Sequence, residues 1–337
     1  MAAPLFIADL EFRHAIIQAP MSEGITTPEL VAAIARQGAV GSLAAGYMTP
    51  ADIIEQTQHV RACTSAPFAL NLFIPPRDAQ HGCDMDRARL ALKPCYAAAG
   101  VPMPEQLDDL PAFEDQFEAM LAVQPAIFSF TFGILDQRHI KACRARNIAL
   151  VGTATSVFEA NGLAHSGVDA IVLQGEEAGG HCGSHNPHGQ GQPLNALLRA
   201  CRPHITQPLI AAGGLMSALD VRRARQHGAD GAQCGTAFLL ADEAGTPYGW
   251  RCALEDAGQD ATEVTMAASG RLARGLRNAW MSPRAPRDIA PWPWQALLTA
   301  PLRHQTEHIE WKNLWAGSRV HHISTGSAAS LLASLCR

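Results

Sequence analysis

The chain has 337 residues, of which 47% are hydrophobic and 17% are charged. This composition supplies a sizeable hydrophobic core and excludes a disordered protein. The net charge is −5 and no run of Lys or Arg occurs, so we expect neither a nucleic-acid partner nor a polybasic surface that binds membranes.

Eight short apolar segments alternate along the chain with stretches of helical pattern. The segments are almost continuously apolar, which is typical of strands that helices cover on both faces. Helix starts are marked by Thr27 and Thr49, each followed by a proline, and by Ser156 at the start of a capping-box pattern. The predicted strands are Ala15–Gln18, Val40–Leu43, Phe68–Leu72, Ile127–Thr131, Ile148–Gly152, Ala170–Gln174, Pro208–Ala212 and Gly231–Gly235.

Eight successive strand–helix units predict an α/β fold that closes into a (β/α)8 TIM barrel over residues 1–240. A doubly wound open sheet is the alternative. The number of strands favours the barrel, and so do the glycine-rich turns after the seventh and eighth strands.

Two regions depart from the regular strand–helix spacing. The third and fourth strands begin about 60 residues apart, and the insert between them, about 74–125, is rich in proline. We predict that this insert forms a lid over the barrel mouth. Residues 241–337 contain a Pro- and Trp-rich stretch at 286–294 between helical patterns, and we predict a helical extension packed on the barrel.

Polar residues and glycines stand where the predicted strands end, which is where (β/α)8 enzymes place their active sites. Gly213 and Gly214 follow the seventh strand, and Gly235 and Thr236 follow the eighth. Exposed amides of such turns bind phosphate in barrels of this type, so we predict a phosphate site there. Tight turns without a ligand are the structural alternative.

Amide side chains stand at the ends of four predicted strands, at Gln18, Asn71, Gln174 and Gln233. An amide both donates and accepts hydrogen bonds, which suits a ring that carries N–H, C=O and aromatic nitrogen groups. A flavin with a phosphate tail would account for the amides and the glycines together. A simple strand-end cap is the alternative for each amide alone.

Six segments that contain these residues resemble the nitronate monooxygenase family, formerly called 2-nitropropane dioxygenases, which are FMN-dependent (β/α)8 enzymes. They occur in the expected order over roughly residues 15–280, and their combination is specific although no single segment is. The segments are QAPM (18–21), ALNLFIP (69–75), QGEEAGGH (174–181), AAGGL (211–215), GADGAQCGTAFLL (228–240) and SGRLARGLRN (269–278).

The resemblance implies non-covalently bound FMN and assigns positions of this chain to it. Next to the flavin ring or ribityl chain it implies Ala19, Pro20, Met21, Asn71, Gln174 and Gly179. For the phosphate it implies Gly213, Gly214, Gln233, Cys234, Gly235 and Thr236. It places His181 at the mouth, near where a substrate would stack on the flavin.

One position departs from the family pattern. Members with established nitronate activity have a His in the motif of the fourth strand, where this chain has Thr131. A threonine hydroxyl has no pKa suited to proton abstraction near neutral pH. An alkyl nitronate, which is already deprotonated, is therefore expected as substrate rather than a neutral nitroalkane. His181 and Thr131 are the two candidate catalytic positions.

Two histidine patterns raise the question of a metal. The segment HCGSHNPH (181–188) contains possible zinc ligands, but its glycine-rich flanks fit a ring-lining loop better. The segment HQTEH (304–308) matches H-x-x-E-H, yet no third ligand is apparent. We predict no metal site.

Three functions remain open. The first is an FMN enzyme that oxidises alkyl nitronates with O2. The second is an FMN reductase that uses NAD(P)H to reduce a quinone or an enoyl thioester, because barrel flavoenzymes bind NAD(P)H without a separate motif. The third is a non-catalytic flavin-binding protein. The sequence gives no indication of the oligomeric state.

Location is predicted from the apolar segments and the cysteines. No apolar run reaches the roughly 18 residues of a membrane span, and Asp9 and Glu11 stand where a signal peptide would be basic and then apolar. Nine cysteines are scattered without a C-x-x-C motif, a pattern typical of reduced thiols. We therefore expect a cytoplasmic protein without a membrane segment.

Overall fold

The structure is a computed structural model that describes residues 4–75, 84–282, 284–306 and 308–337. The described chain begins with an antiparallel hairpin of two short strands, β1 (Leu5–Ile7) and β2 (Leu10–Phe12). Eight parallel strands then form one sheet: β3 (Ile16–Gln18), β4 (Ser42–Ala44), β5 (Ala69–Phe73), β6 (Ile127–Thr131), β7 (Ala149–Ala154), β8 (Ala170–Gln174), β10 (Leu209–Ala212) and β11 (Gly231–Cys234). Strand β9 (Gly180–His181) belongs to a separate sheet with β12 (Thr262–Thr265) and β13 (Ala273–Leu276).

The eight parallel strands curl into a barrel. Their order is β3-β11-β10-β8-β7-β6-β5-β4. A bridge between Ile17 and Val40 joins the two edges. There the amide of Gln18 donates to the carbonyl of Val40 at 2.8 Å, and the amide of Val40 donates to the carbonyl of Ile16 at 3.0 Å. Each predicted barrel strand is present within a few residues of its predicted bounds, so the predicted (β/α)8 class is confirmed.

Helices surround the barrel and continue into the C-terminal part of the chain. Thr27, Thr49 and Ser156 cap three of them, as predicted, each accepting a hydrogen bond from a backbone amide of the first turn. The helices are α1 (Pro28–Arg36), α2 (Pro50–Cys63), α3 (Met85–Ala99), α4 (Phe113–Val123), α5 (Gln137–Arg144), α6 (Val157–Ser166), α7 (Leu194–Cys201), α8 (Ala218–Gln226), α9 (Tyr248–Glu255), α10 (Trp294–His304) and α11 (Ala328–Leu335).

Two apolar layers stabilise the barrel. The outer layer lies between the strands and the helices. The inner layer fills the lower barrel, where Leu5, Ile7 and Phe12 of the N-terminal hairpin pack against inward-facing residues of the strands. The hairpin thus plugs the end of the barrel opposite to the carboxyl ends of the strands. This hairpin was not predicted from the sequence, because strands of three residues carry almost no periodic signal.

The long insert between β5 and β6 contains α3 and α4. Helix α4 packs on α2 and β5 and so joins the outer ring of the barrel, whereas α3 packs on α10 and the 3-10 turn Pro286–Asp288. Residues 76–83 of the predicted lid lie outside the described residues. The described part of the insert therefore divides between the barrel wall and the C-terminal part of the chain.

The C-terminal part contains strands in addition to the predicted helices. Strand β13 pairs with β12 and also with β9, which lies in the loop after β8. Helix α11 returns to the barrel, where Leu331, Leu332 and Leu335 join the outer apolar layer. The pairing of β13 with β9 was missed because it depends on the tertiary fold and not on a local pattern. Among the described residues, no helix is both long enough and apolar enough to span a bilayer.

Candidate active site

One cavity opens at the carboxyl ends of the barrel strands. Side chains of the strand ends form its floor, and residues of the C-terminal part, including Trp250 and Trp315, close one side. Every residue that the sequence analysis named as catalytic or cofactor-binding lines this cavity: Ala19, Pro20, Met21, Asn71, Thr131, Gln174, Gly179, His181, Gly213, Gly214, Gln233, Cys234, Gly235 and Thr236.

The strand-end amides divide into two kinds. Gln18 is fully buried and does not line the cavity; its side chain accepts from the amide of Ser42 at 3.1 Å and donates to Thr26 Oγ1 at 3.1 Å. It is a structural cap. Gln174 lines the cavity but also holds the following loop, since it donates to the carbonyl of His181 at 3.1 Å and accepts from the amide of Gly183 at 2.6 Å.

Glycine-rich turns form one end of the cavity. Gly213 and Gly214 have φ of +121° and +66°, which side chains rarely adopt. A Cβ at Gly213 would lie 3.1 Å from the amide nitrogen of Ala178, so this turn is packed closely. Within the described part of the chain, the amides of Gly214, Gly235 and Thr236 donate to no protein acceptor. This end of the cavity therefore presents free backbone donors to an anion.

A segment of the C-terminal part covers these turns. The amide of Gly317 donates to Thr236 Oγ1 at 2.9 Å, and the amide of Ser318 donates to the carbonyl of Glu177 at 2.9 Å. A Cβ at Gly179 would lie only 2.5 Å from the carbonyl carbon of Ala316. Position 179 therefore requires glycine for the close approach of this segment.

His181 stands on β9 at the other end of the cavity. Its Nε2 lies 2.8 Å from Ser269 Oγ, and its ring is 5.7 Å from the ring of Trp315 and 6.0 Å from that of Phe132. Burial lowers the pKa of His181 to about 3, and the charges of Arg271 and Arg303 act in the same direction. The imidazole is therefore neutral near pH 7 and can donate or accept one hydrogen bond at each nitrogen.

Thr131 ends β6 and lines the cavity, while Phe132 after it has φ of +80°. A bulky aromatic residue in this region is strained, and such strain concentrates at functional sites. The ring of Phe132 packs on Phe73 with centroids 4.8 Å apart. The guanidinium of Arg271 lies 3.8 Å from the centroid of Phe132.

Arg271 is a buried cation behind the cavity wall. It is 1% exposed, and it donates through Nη2 to the carbonyl of Ser184. Its Nε is buried and makes no hydrogen bond within the described residues. Burial lowers the pKa of Arg271 to about 10, so the side chain stays charged near neutral pH. Ser184 also donates to Glu159 Oε1 at 2.8 Å, which ties the loop after His181 to α6.

Sequence reasoning missed the aromatic wall of the cavity. Tyr47, Phe73, Phe132 and Trp315 line it, and Trp292 donates through Nε1 to the hydroxyl of Tyr47 at 3.2 Å. The four lining residues come from four separate loops or strand ends, so no regular spacing in the sequence indicates that they lie together. Glu23, also in the lining, was missed for the same reason.

The histidines of the segment 181–188 do not converge. His181 Nε2 faces Ser269, whereas His185 Nε2 lies 3.0 Å from the carbonyl oxygen of Thr153. Among the residues that the structure describes, no group of three or more His, Cys, Asp or Glu side chains is arranged to hold a metal ion. Glu307 of the H-x-x-E-H match lies outside the described residues.

Comparison with known proteins adds a family context to this geometry. The sequence profile of nitronate monooxygenases matches residues 6–337. A probable nitronate monooxygenase of Staphylococcus haemolyticus is 34% identical over 318 residues, which cover 91% of this chain and 89% of that protein. One from Bacillus subtilis is 32% identical over 349 residues, which cover 98% of each chain.

Solved structures share the fold over almost the whole chain. A nitroalkane oxidase from Streptomyces ansochromogenes superposes with a TM-score of 0.89 at 31% identity, covering 96% of this chain and 95% of that one. FabK from Thermotoga maritima superposes with a TM-score of 0.74 at 20% identity, covering 96% and 92%. The second likeness is one of fold alone.

Proposed function

This chain belongs to the nitronate monooxygenase family and is an oxidoreductase, and on that basis we propose that it binds FMN and oxidises alkyl nitronates with O2. The observation that carries the proposal is the division of one cavity into two ends. Free backbone amides lie at Gly214, Gly235 and Thr236, and a neutral imidazole lies at His181.

The donor set at the glycine end fits a phosphate. Three amides of these turns have no protein acceptor, and Gly213 and Gly214, whose positive φ favours glycine, carry no Cβ atom. The amide side chains of Asn71 and Gln233 also line the cavity. They can pair with the donors and acceptors of a flavin ring, and Ala19, Pro20 and Met21 would form an apolar side for that ring.

The cofactor, when bound, supplies the electron transfer between a nitronate and O2. The protein has to bind the substrate, orient it and keep water away. His181 contributes a polar group that stays neutral near pH 7, and Thr131 contributes a hydroxyl that cannot act as a base. Substrate therefore enters as the nitronate, with its acidic proton already lost to solvent.

An absorbance spectrum of the purified protein, followed by anaerobic titration, tests this function. We expect oxidised-flavin bands that bleach on addition of propyl-1-nitronate. Bleaching by NADPH alone would replace the proposal by a reductase. A colourless protein that does not take up added FMN would contradict the cofactor assignment. The cytoplasmic location and the division into residues 1–240 and 241–337 stay predictions.

A further inference from the structure

The wall of the cavity carries one acidic side chain that the proposed reaction does not use. Glu23 follows the QAPM segment and lines the cavity. Its backbone has φ of +61°, a region that a glutamate rarely adopts. Two residues of the C-terminal part hold its carboxylate: Arg303 Nε lies 3.2 Å from Oε1, and Asn313 Nδ2 donates to the same oxygen at 3.1 Å.

The negative charge of Glu23 affects the aromatic wall of the cavity. Burial raises the pKa of the Tyr47 phenol, and among the nearby charges Glu23 acts on it more strongly than Arg303 or Arg271. Tyr47 itself lines the cavity. The carboxylate of Glu23 is thus the strongest single charge that acts on this part of the wall.

The charges that act on His181 are both positive. Arg271 and Arg303 are the charges that act on His181, and both disfavour its protonation. Arg271 has no ion-pair partner among the described residues, whereas Arg303 shares its charge with Glu23. Of the described residues that line the cavity, Glu23 is the one carboxylate, and none is Lys or Arg.

We propose that the cavity is electrostatically polarised, so that it accepts nitronates whose only charge is the nitronate group and disfavours those with a carboxylate on the tail. This inference rests on the proposed function and names its substrate class. The anionic nitronate group would face His181 and the buried Arg271. An uncharged, apolar tail would lie along Tyr47, Phe73 and Glu23.

A purely structural role for Glu23 is the competing explanation. Arg303 is 9% exposed in its side chain, and a buried guanidinium without a partner is costly. Glu23 would then serve only to neutralise Arg303, and substrate choice would not depend on it. The two explanations differ in one measurable property, the ratio of activities toward a neutral-tailed and an anionic-tailed nitronate.

Propyl-1-nitronate and propionate 3-nitronate form a matched pair, since a terminal methyl group in the first is a carboxylate in the second. With the flavin-loaded enzyme we expect kcat/KM to favour propyl-1-nitronate by about tenfold, as expected for like charges within one partly buried cavity. In Glu23→Gln this ratio should shrink by about fivefold or more. Glu11→Gln, the same change at an exposed position of β2 at the closed end of the barrel, should keep the wild-type ratio.

A wild-type ratio near one, or an unchanged ratio in Glu23→Gln, would overturn the inference. If Glu23→Gln does not fold, calorimetric titration of the wild type with 1-nitropropane and 3-nitropropionate decides, since it needs no turnover. We expect 1-nitropropane to bind more tightly than 3-nitropropionate. If 3-nitropropionate binds equally tightly or more tightly, the proposed polarisation of the cavity is wrong. Failure of both nitronates to react would instead reject the proposed function, and the calorimetric comparison would still test whether the cavity disfavours a carboxylate on the tail.

Discussion

The imidazole Nε2 of His181 and the hydroxyl oxygen of Ser269 lie 2.8 Å apart, although 88 residues separate them in the chain. The contact joins β9, in the loop after β8, to the segment that leads into β13. Ser269 is 2% exposed, so its hydroxyl is fixed within the protein. The C-terminal part thus orients the imidazole of His181, which we propose contacts the substrate.

His181→Ala should retain flavin but slow its reduction. The variant removes a neutral hydrogen-bonding group from the substrate end without touching the turns at Gly213 and Gly214. We expect anaerobic reduction by propyl-1-nitronate to slow by about 10- to 100-fold, as measured by stopped-flow absorbance. Ser269→Ala should slow it less, because the imidazole remains. Unchanged reduction kinetics in His181→Ala would remove this residue from the site.

The low pKa of His181 predicts how stability depends on pH. Burial lowers this pKa to about 3 from an ordinary value of 6.5, so between these values the unfolded chain binds a proton here and the folded chain does not. Stability therefore falls as the pH is lowered through this window. Between pH 7 and pH 5 the contribution of this group should be about 2 kcal/mol.

Urea unfolding at the two pH values measures this contribution. His181→Gln should reduce the loss of stability between pH 7 and pH 5 by about 2 kcal/mol. His59→Gln, an exposed position on α2, should leave the loss at its wild-type size. Equal losses in His181→Gln and the wild type would mean that the imidazole takes up a proton in the folded protein.

The strands of the barrel could be predicted from the sequence because each is a short apolar run buried on both faces. Ile127–Thr131 and Ala170–Gln174 have the predicted bounds without any change. The N-terminal hairpin could not be predicted, because Leu5–Ile7 is too short to show the alternation of apolar and polar residues that is typical of a strand. Strand β13 could not be predicted either, since its partner β9 has only two residues and Gly180 of β9 pairs with Arg274, which lies 94 positions further along the chain.

Residues of the cavity could be predicted from the sequence wherever the fold itself brings them to the same end of the barrel. Asn71 lies near the end of β5, Gln174 ends β8 and Gly213 follows β10, and the carboxyl ends of these parallel strands meet at one end of the barrel. No such rule applies to Glu23 and Trp315, because Glu23 lies well into the loop between β3 and α1 and Trp315 lies in the C-terminal part. The strained Phe132 gave no signal, since a positive φ cannot be recognised at an aromatic residue.

Gly214→Asp tests the phosphate assignment. The new side chain would carry a negative charge among the free amides, and its Cβ would lie 3.1 Å from Glu177 Cβ. We expect the affinity for FMN to fall by about a hundredfold, measured by quenching of flavin fluorescence. Full FMN occupancy in the purified variant would show that another part of the chain holds the phosphate.

A matched control separates this effect from backbone strain. Gly100 also has φ of +66°, but it ends α3 and a Cβ there would meet no atom within 4 Å. Gly100→Asp should therefore lower stability by a similar strain, about 1 kcal/mol, and leave the affinity for FMN unchanged. Equal loss of FMN in both variants would attribute the effect to instability.

Gly179→Ala tests whether the C-terminal segment closes the cavity. A methyl group at this position would lie 2.5 Å from the carbonyl carbon of Ala316 and 2.6 Å from the amide nitrogen of Gly317. Both are backbone atoms, so the segment itself must move, at a cost of about 1–3 kcal/mol. Its movement would break the contact from Gly317 to Thr236 beside the predicted phosphate turn.

We therefore expect Gly179→Ala to lower both the urea midpoint and the affinity for FMN. Gly258→Ala is the control, because a Cβ at Gly258 would meet no atom within 4 Å and its φ lies outside the left-handed region. It should match the wild type in both measurements. If Gly179→Ala binds FMN as tightly as the wild type despite lower stability, the segment around Gly317 packs beside the cofactor site without contributing to it.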